Sequence, residues 1–168
     1  MTVHKSLPFF LLLACMLFVL AGCGFQLRGS AALPAEMSVT YIKDVRPFST
    51  LVDDFSAALR LRNITIADRE SIATAVLHIT DNSTEKSVVS VDTAGNVLEY
   101  EIRQTIRFSV LTSAQQVVVS DQSVSLSRDY IFSSTDVLGK AREEQVVGAT
   151  LQENLVNLAM LRIAAAAR

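Results

Sequence analysis

The stretch from Leu98 to Leu111 constrains the fold more than any other part of the chain. Leu98, Tyr100, Ile102, Ile106, Phe108 and Val110 recur at every second position. Glu99, Glu101, Arg103, Thr105, Arg107 and Ser109 fill the places between them. A period of two sends these sets to opposite faces of a β-strand, one buried and one wet. Gln104 alone interrupts the apolar face. Such a strand needs strand neighbours and a layer to cover its apolar side.

The neighbours are legible on both flanks. Gly95-Asn96 reads as a turn, which makes Ser87 to Val91 an antiparallel partner. Thr112 to Gln116 reads as the following turn, and Val117 to Phe132 as a last, long strand with room for a bulge. Upstream, Ala75 to Asp81 alternates with Leu77 and Ile79 pointing one way. Ser38 to Val45 reads as a first strand with Val39 and Tyr41 on one face.

Two helices supply the cover. Leu51, Phe55, Ala58 and Leu59 form one stripe over Thr50 to Arg62, with Thr50 and Asp53 as a capping pair and Asn63 as the stop. Ser133, Ser134, Thr135 and Asp136 signal a second helix start. That helix runs to the chain end with Leu138, Val147, Leu151, Leu155 and Leu158 inward. At 1.5 Å per residue its roughly 30 residues make a rod of ~45 Å. The expected fold is α/β (α+β), a two-layer sandwich in which two helices pack on one face of a four-stranded mixed sheet, in the order β-α-β-β-β-α.

The N-terminal region carries a different message. His4 and Lys5 precede an uncharged apolar run from Leu7 to Leu20, the length of a signal-peptide core and short for a membrane span. It ends in Leu20-Ala21-Gly22-Cys23, where small residues admit the chain to a peptidase cleft and the thiol accepts a diacylglycerol. Residues 1–22 are therefore expected to be a lipoprotein signal peptide, residues 23–36 an acylated tether, and residues 37–168 a single domain. Two or three acyl chains, palmitate among them, anchor durably at about 0.8 kcal/mol per buried CH₂. Gly24 after the cysteine, rather than Asp, points to the periplasmic side of the outer membrane.

Removing residues 1–22 takes away Lys5 and no acidic residue, leaving 14 basic against 17 acidic residues and a formal charge of −3. That balance argues against nucleic acid as a partner. Cys23 is then the one remaining thiol, so no intramolecular disulfide can form.

Reactive chemistry is scarce. His78 is the single histidine after the leader and sits in strand alternation, and no nucleophile elbow, phosphate loop or His/Cys metal spacing occurs. Glu143 and Glu144 are adjacent on a helix, so their side chains diverge and read as a solvated turn. The expectation is a protein that is not an enzyme, with no cofactor or metal beyond the covalent N-acyl and S-diacylglycerol lipid on Cys23. The basic residues are better candidates. Arg103 and Arg107 share the wet face of the long strand, Arg128 lies near the end of the last strand, and Lys140 and Arg142 open the last helix. Guanidinium forks and a lysine point charge suit phosphates on an anionic lipid.

Several segments together resemble one family. Gly22-Cys23-Gly24-Phe25-Gln26-Leu27-Arg28-Gly29 resembles the start of the LptE family of lipopolysaccharide-assembly lipoproteins. Ala32-Leu33-Pro34, Leu59-Arg60-Leu61-Arg62-Asn63, Glu99-Tyr100-Glu101, Arg128-Asp129-Tyr130 and Leu138-Gly139-Lys140-Ala141-Arg142-Glu143-Glu144 follow in that family's order. The resemblance implies a non-catalytic outer-membrane lipoprotein that plugs and helps assemble the barrel LptD in a 1:1 complex and binds lipopolysaccharide. It implies a lipopolysaccharide contact at Lys140, to which Arg128 and Arg142 are added as candidates, while the face of Arg103 and Arg107 or the strand tips are expected to meet the barrel wall. Asp92-Thr93-Ala94 departs from members that carry a basic residue before the long strand. The alternative is an auxiliary outer-membrane lipoprotein of a lipid-trafficking transporter, separable by its partner.

Overall fold

The computed structural model describes residues 32–46, 49–132 and 137–166, apart from the side chains of residues 137, 138 and 140. Among these residues, five strands and two α-helices follow a short 3-10 turn at Ala35–Ser38. They are β1 (Val39–Asp44), α1 (Thr50–Arg60), β2 (Thr65–Ile66), β3 (Ala75–Val91), β4 (Val97–Thr112), β5 (Val117–Ile131) and α2 (Val137–Ala166). The sheet order is β2-β1-β3-β4-β5. β1 runs parallel to β2 and β3, and the β3–β4 and β4–β5 pairs are antiparallel. The α+β class and the mixed sheet are as the alternation predicts. The fifth strand is β2, whose two residues pair with Val39 and Thr40. Two residues are too few to carry an alternation signal.

Ser87–Val91 and Ala75–Asp81, which read as separate runs, are one continuous β3 of 17 residues. The polar stretch between them stays in the ladder because a bulge at Thr80 resets the register, from Ile79 opposite Phe108 to Asp81 opposite Arg107. β5 is also irregular, with register shifts opposite Phe108 to Leu111.

Val39 and Tyr41 do share a face, but β1 turns the other one inward. Thr40 and Ile42 are buried, and Ile42 belongs to the core. Thr40 tolerates that position because its hydroxyl donates to the Met37 carbonyl at 2.7 Å. The α1 stripe of Leu51, Phe55, Ala58 and Leu59 is buried as its periodicity requires. The expected Thr50–Asp53 cap is not made. Ser49 is the N-cap, and its hydroxyl donates to Asp44, while Thr50 Oγ1 accepts from Gln152 Nε2 of α2 at 3.1 Å. Asn63 ends the helix as expected, in the left-handed region at φ 61°.

The main core joins both helices to β1, β3, β4 and β5 around Phe55, Phe108, Leu77, Ile79, Leu155 and Met160. Leu33 packs against it, and Met37 is fully buried. On α2 the expected Leu151 and Leu155 are buried, Val147 and Leu158 are half-buried, and Leu138 has its side chain outside the described residues. Val156, Ala159, Met160, Ile163 and Ala164 extend the inward face.

A second, smaller cluster of Ile102, Tyr130 and Leu151 lies further along the sheet, with Tyr100, Leu126 and Val147 against it. Gln104 falls on β4 between the two clusters, and among the described residues its buried Oε1 has no hydrogen-bond partner. Gly148 of α2 faces it, and a Cβ there would lie 3.9 Å from Gln104 Nε2, an ordinary contact. A mid-helix glycine with room for a methyl group costs about 0.5–1 kcal/mol relative to alanine. Gly148→Ala is therefore expected to stabilise the domain by about that amount, read as a higher urea midpoint at unchanged slope. A lower midpoint would show that α2 needs the glycine for its approach to β4.

Candidate functional site

β1 stops at Asp44, paired with Ile79, so from Thr80 onward β3, β4 and β5 project as a three-stranded ribbon. Cross-strand rows set its two faces. On the face away from the helices, Asp81, Arg107 and Ser123 form one row. Ser83, Thr105 and Ser125 form the next, then Glu85, Arg103 and Ser127, then Ser87, Glu101 and Asp129. This is a flat surface of hydroxyls and alternating charge, tied internally by Thr105 Oγ1 donating to Ser125 Oγ at 3.1 Å. Arg103 donates to Glu101 at 2.9 Å, and Arg107 stands 3.9 Å from Asp121. Glu101 is held below the usual carboxylate range, first by the Ser127 hydroxyl and then by Arg103.

The ribbon tip is closed by an acid rather than a base. Asp92 Oδ1 accepts from the Ala94 and Asn96 amides at 2.8 Å each, and Oδ2 from Asn96 Nδ2 at 2.9 Å. Those donors, the Asn96 side chain foremost, keep its carboxyl below the ordinary range. Gly95, at φ 86°, takes the left-handed turn position. Val88, Val89, Val91, Leu98 and Ile131 leave this end with exposed apolar side chains.

On the helix side, Lys86 lies opposite Ile102, which lies opposite Arg128. One row further out, Val88, Tyr100 and Tyr130 align. Glu144 of α2 reaches down to this surface. Its Oε2 accepts from Lys86 Nζ at 2.6 Å and from the Tyr130 hydroxyl at 2.7 Å. The Lys86 ammonium sits 4.3 Å from the Tyr100 ring centre and 5.4 Å from that of Tyr130, a cation–π position. The Tyr100 and Tyr130 rings stack at 5.9 Å, and Phe132 meets Tyr100 edge-on at 5.4 Å. Lys86 and Tyr130 both donate to Glu144 and lower its pKa. Burial pulls the Lys86 pKa down, but the hydrogen bonds and charge of Glu144 and Tyr130 outweigh it and leave the value raised. Burial is the main cause of the raised Tyr130 value.

The basic residues singled out in the sequence do not converge on one site. Arg103 and Arg107 are on the hydroxyl face, and Arg128 is on the opposite one. Arg128 lines a groove of about 580 Å³ between the end of β5 and α2, with Tyr130, Ile131, Glu143, Val146 and Val147. Arg142 lies in a separate shallow depression with Gly139, Ala141 and Gln145. Lys140 belongs to the first turn of α2, but its side chain is outside the described residues, as is all of Cys23. His78 is half-buried on β3, opposite Ser109. Among the described residues no group of three or more His, Cys, Asp or Glu is placed to hold a metal, and no helix is long and apolar enough to cross a membrane.

The Lys86–Glu144–Tyr130 cluster is absent from the sequence reading, which left Glu144 in a solvated turn. Its signal lies in the alternation of β3, which carries Lys86 onto the face of Ile102 once the Thr80 bulge is included.

The family model for lipopolysaccharide assembly, LptE, matches residues 36–163. The chain belongs to the LptE family. It is 30% identical over 155 residues to the LPS-assembly lipoprotein LptE of Photorhabdus laumondii, covering 89% of this chain and 80% of that protein. Against LPS-assembly lipoprotein LptE of Pectobacterium atrosepticum it is 27% identical over 148 residues, covering 86% and 78%. The fold matches lipoprotein B of Nitrosomonas europaea at a TM-score of 0.70 and 24% identity, over 84% of this chain and 91% of that one. Rare lipoprotein B of Shewanella oneidensis superposes at 0.63 and 24% identity, over 76% and 93%. As a family member, the protein is a lipoprotein of lipopolysaccharide assembly.

Proposed function

We propose that this LptE-family member is anchored to the periplasmic side of the outer membrane through lipid on Cys23. There it plugs and helps assemble the lipopolysaccharide-transport barrel LptD in a 1:1 complex, and binds lipopolysaccharide on its way to the outer leaflet. The observation that carries this reading is the family match over residues 36–163. The ribbon is consistent with it. Its hydroxyl face, with Arg103 and Arg107 about half exposed, suits the polar lumen of a barrel. The exposed valines toward its tip suit contact with a partner better than with water. Arg128, beside Ile131, Val146 and Val147 in a groove that Glu99, Asp129 and Glu143 also line, suits one phosphate of a lipid, with Lys140 and Arg142 as separate contacts on α2.

A tagged pull-down from detergent-solubilised outer membrane tests the reading. One large barrel in near-equal amount, together with lipopolysaccharide, is the expected result. Recovery of transporter subunits instead would favour the auxiliary-lipoprotein alternative. Reversing both Arg103 and Arg107 to Glu is expected to weaken barrel association about tenfold, since like charges juxtaposed across an interface repel. Unchanged recovery would move the barrel contact to another face. Lys140→Asp is expected to weaken lipopolysaccharide binding about tenfold, the scale of one charged hydrogen bond, with a normal melting curve. Unchanged binding would remove Lys140 from the site.

A further inference from the structure

Two donors from different strands, Lys86 Nζ and the Tyr130 hydroxyl, converge on a single oxygen of Glu144, at 2.6 and 2.7 Å. That is the donor arrangement of an oxyanion site, filled here by a carboxylate from the chain's own helix. Tyr130 is held in place independently of Glu144, and Lys86 is positioned over the rings. Tyr130 is 5% exposed and stacked on Tyr100, and Lys86 lies over both rings. The occupant is held less firmly, because the Lys86 and Glu144 side chains are 38% and 39% exposed, and ion pairs so exposed contribute little to stability. Two strands away on the same face stands Arg128, at a backbone distance of about 10 Å from Lys86.

From this geometry we infer that Lys86 and Tyr130 form a phosphate-binding site for a phosphorylated glycolipid, with Glu144 as a placeholder that the ligand displaces. A phosphomonoester carries more negative charge than a carboxylate and three acceptor oxygens, so it can accept from both donors and still offer an oxygen outward. When it enters, Glu144 swings to solvent, which its exposure allows. Arg128 can then meet a second anionic group on the same molecule. The inference rests on the proposed lipopolysaccharide binding and adds to it two donors on the strands, Lys86 and Tyr130.

The test is a binding series with the full acylated protein, using purified lipopolysaccharide, its enzymatically dephosphorylated form and inorganic phosphate. Lys86→Met keeps the aliphatic stem over the rings and removes the charge. It is expected to weaken binding of intact lipopolysaccharide about tenfold and to leave the dephosphorylated form unaffected. Glu144→Gln removes the competing charge and keeps an acceptor for Tyr130, so binding is expected to tighten several-fold. In a Lys86→Met background that gain is expected to vanish. Wild-type protein that binds no lipopolysaccharide would overturn the proposed function and this site with it. Wild-type binding unaffected by Lys86→Met, or weakened equally for both lipid forms, would overturn the site alone. So would Glu144→Gln binding no tighter than wild type at an unchanged melting temperature. Competition by inorganic phosphate at about the lipid's own concentration would place recognition on free phosphate and overturn the glycolipid assignment.

Discussion

Phe108→Ala is expected to lower the free energy of unfolding by about 3–5 kcal/mol, the range for truncating a fully buried phenylalanine. Phe108 is 0% exposed on β4, with Ile79 of β3 opposite it on one side and Gln122 of β5 on the other. It belongs to the cluster that ties α1 and α2 to the sheet. The backbone at that point is held in a ladder on both sides, so the surrounding side chains cannot readily close the cavity. Domains of this size are stable by only about 5–15 kcal/mol, so the variant is expected to melt many degrees lower and to accumulate poorly in cells. Urea unfolding monitored by circular dichroism would measure it. A loss below about 1 kcal/mol, the scale of a minor core change, would mean that α2 and β4 do not share one packed core.

Cys23→Ala is expected to have the largest effect on location with none on folding. Without the thiol no diacylglycerol can be attached, and anchoring worth about 0.8 kcal/mol per buried CH₂ over two or three chains is lost. The protein is expected to leave the membrane fraction, and its mass to lack the lipid increment expected for the wild type. Among the described residues the core cluster draws on Leu33 onward, and the melting temperature is expected to stay the same. Membrane retention at the wild-type level would mean that an uncleaved leader, or another surface, does the anchoring. Barrel recovery with this variant would then separate tethering from recognition. A tether raises the local concentration of a plug but makes none of its contacts, so weakened rather than abolished recovery is expected at high expression.

Set beside the outcome expected for Glu144→Gln, these two variants divide the molecule by role. Phe108 is expected to report on the fold, Cys23 on its place, and the Lys86 cluster on the proposed ligand. A variant at one position is expected to leave the readouts of the other two in proportion to how much protein remains folded.

The layer architecture was legible because each element carries its own period. Residues 98–111 alternate with a period of two, and Leu51, Phe55, Ala58 and Leu59 recur along a helical stripe. Burial of those side chains is a consequence of local geometry plus the hydrophobic effect, and neither needs knowledge of the partner element. What escaped was whatever two distant segments decide together. β2 exists only because Thr65 and Ile66 fall alongside Val39 and Thr40. The inward face of β1 is Thr40 and Ile42 because the turn that buries Met37 also supplies an acceptor for the threonine hydroxyl. Thr50 Oγ1 accepts from Gln152 Nε2, 102 positions away, instead of capping its own helix start.

The candidate site follows the same division. By itself the sequence determined that Arg103 and Arg107 share a wet face, since alternation along a strand settles it. Only the tertiary structure decided that Arg128 and Arg103 are on opposite sides of the sheet, and that Lys86 meets Glu144 across 58 positions of chain. The first depends on cross-strand register, which pairs Arg128 with Ile102 on the apolar face. The second depends on the Thr80 bulge, which sets the face that Lys86 takes, and on the line along which α2 crosses β4 and β5. Register, bulge and crossing angle are properties of packed pairs of elements. A linear pattern records which side of its own element a residue occupies, and packing alone determines what that side meets.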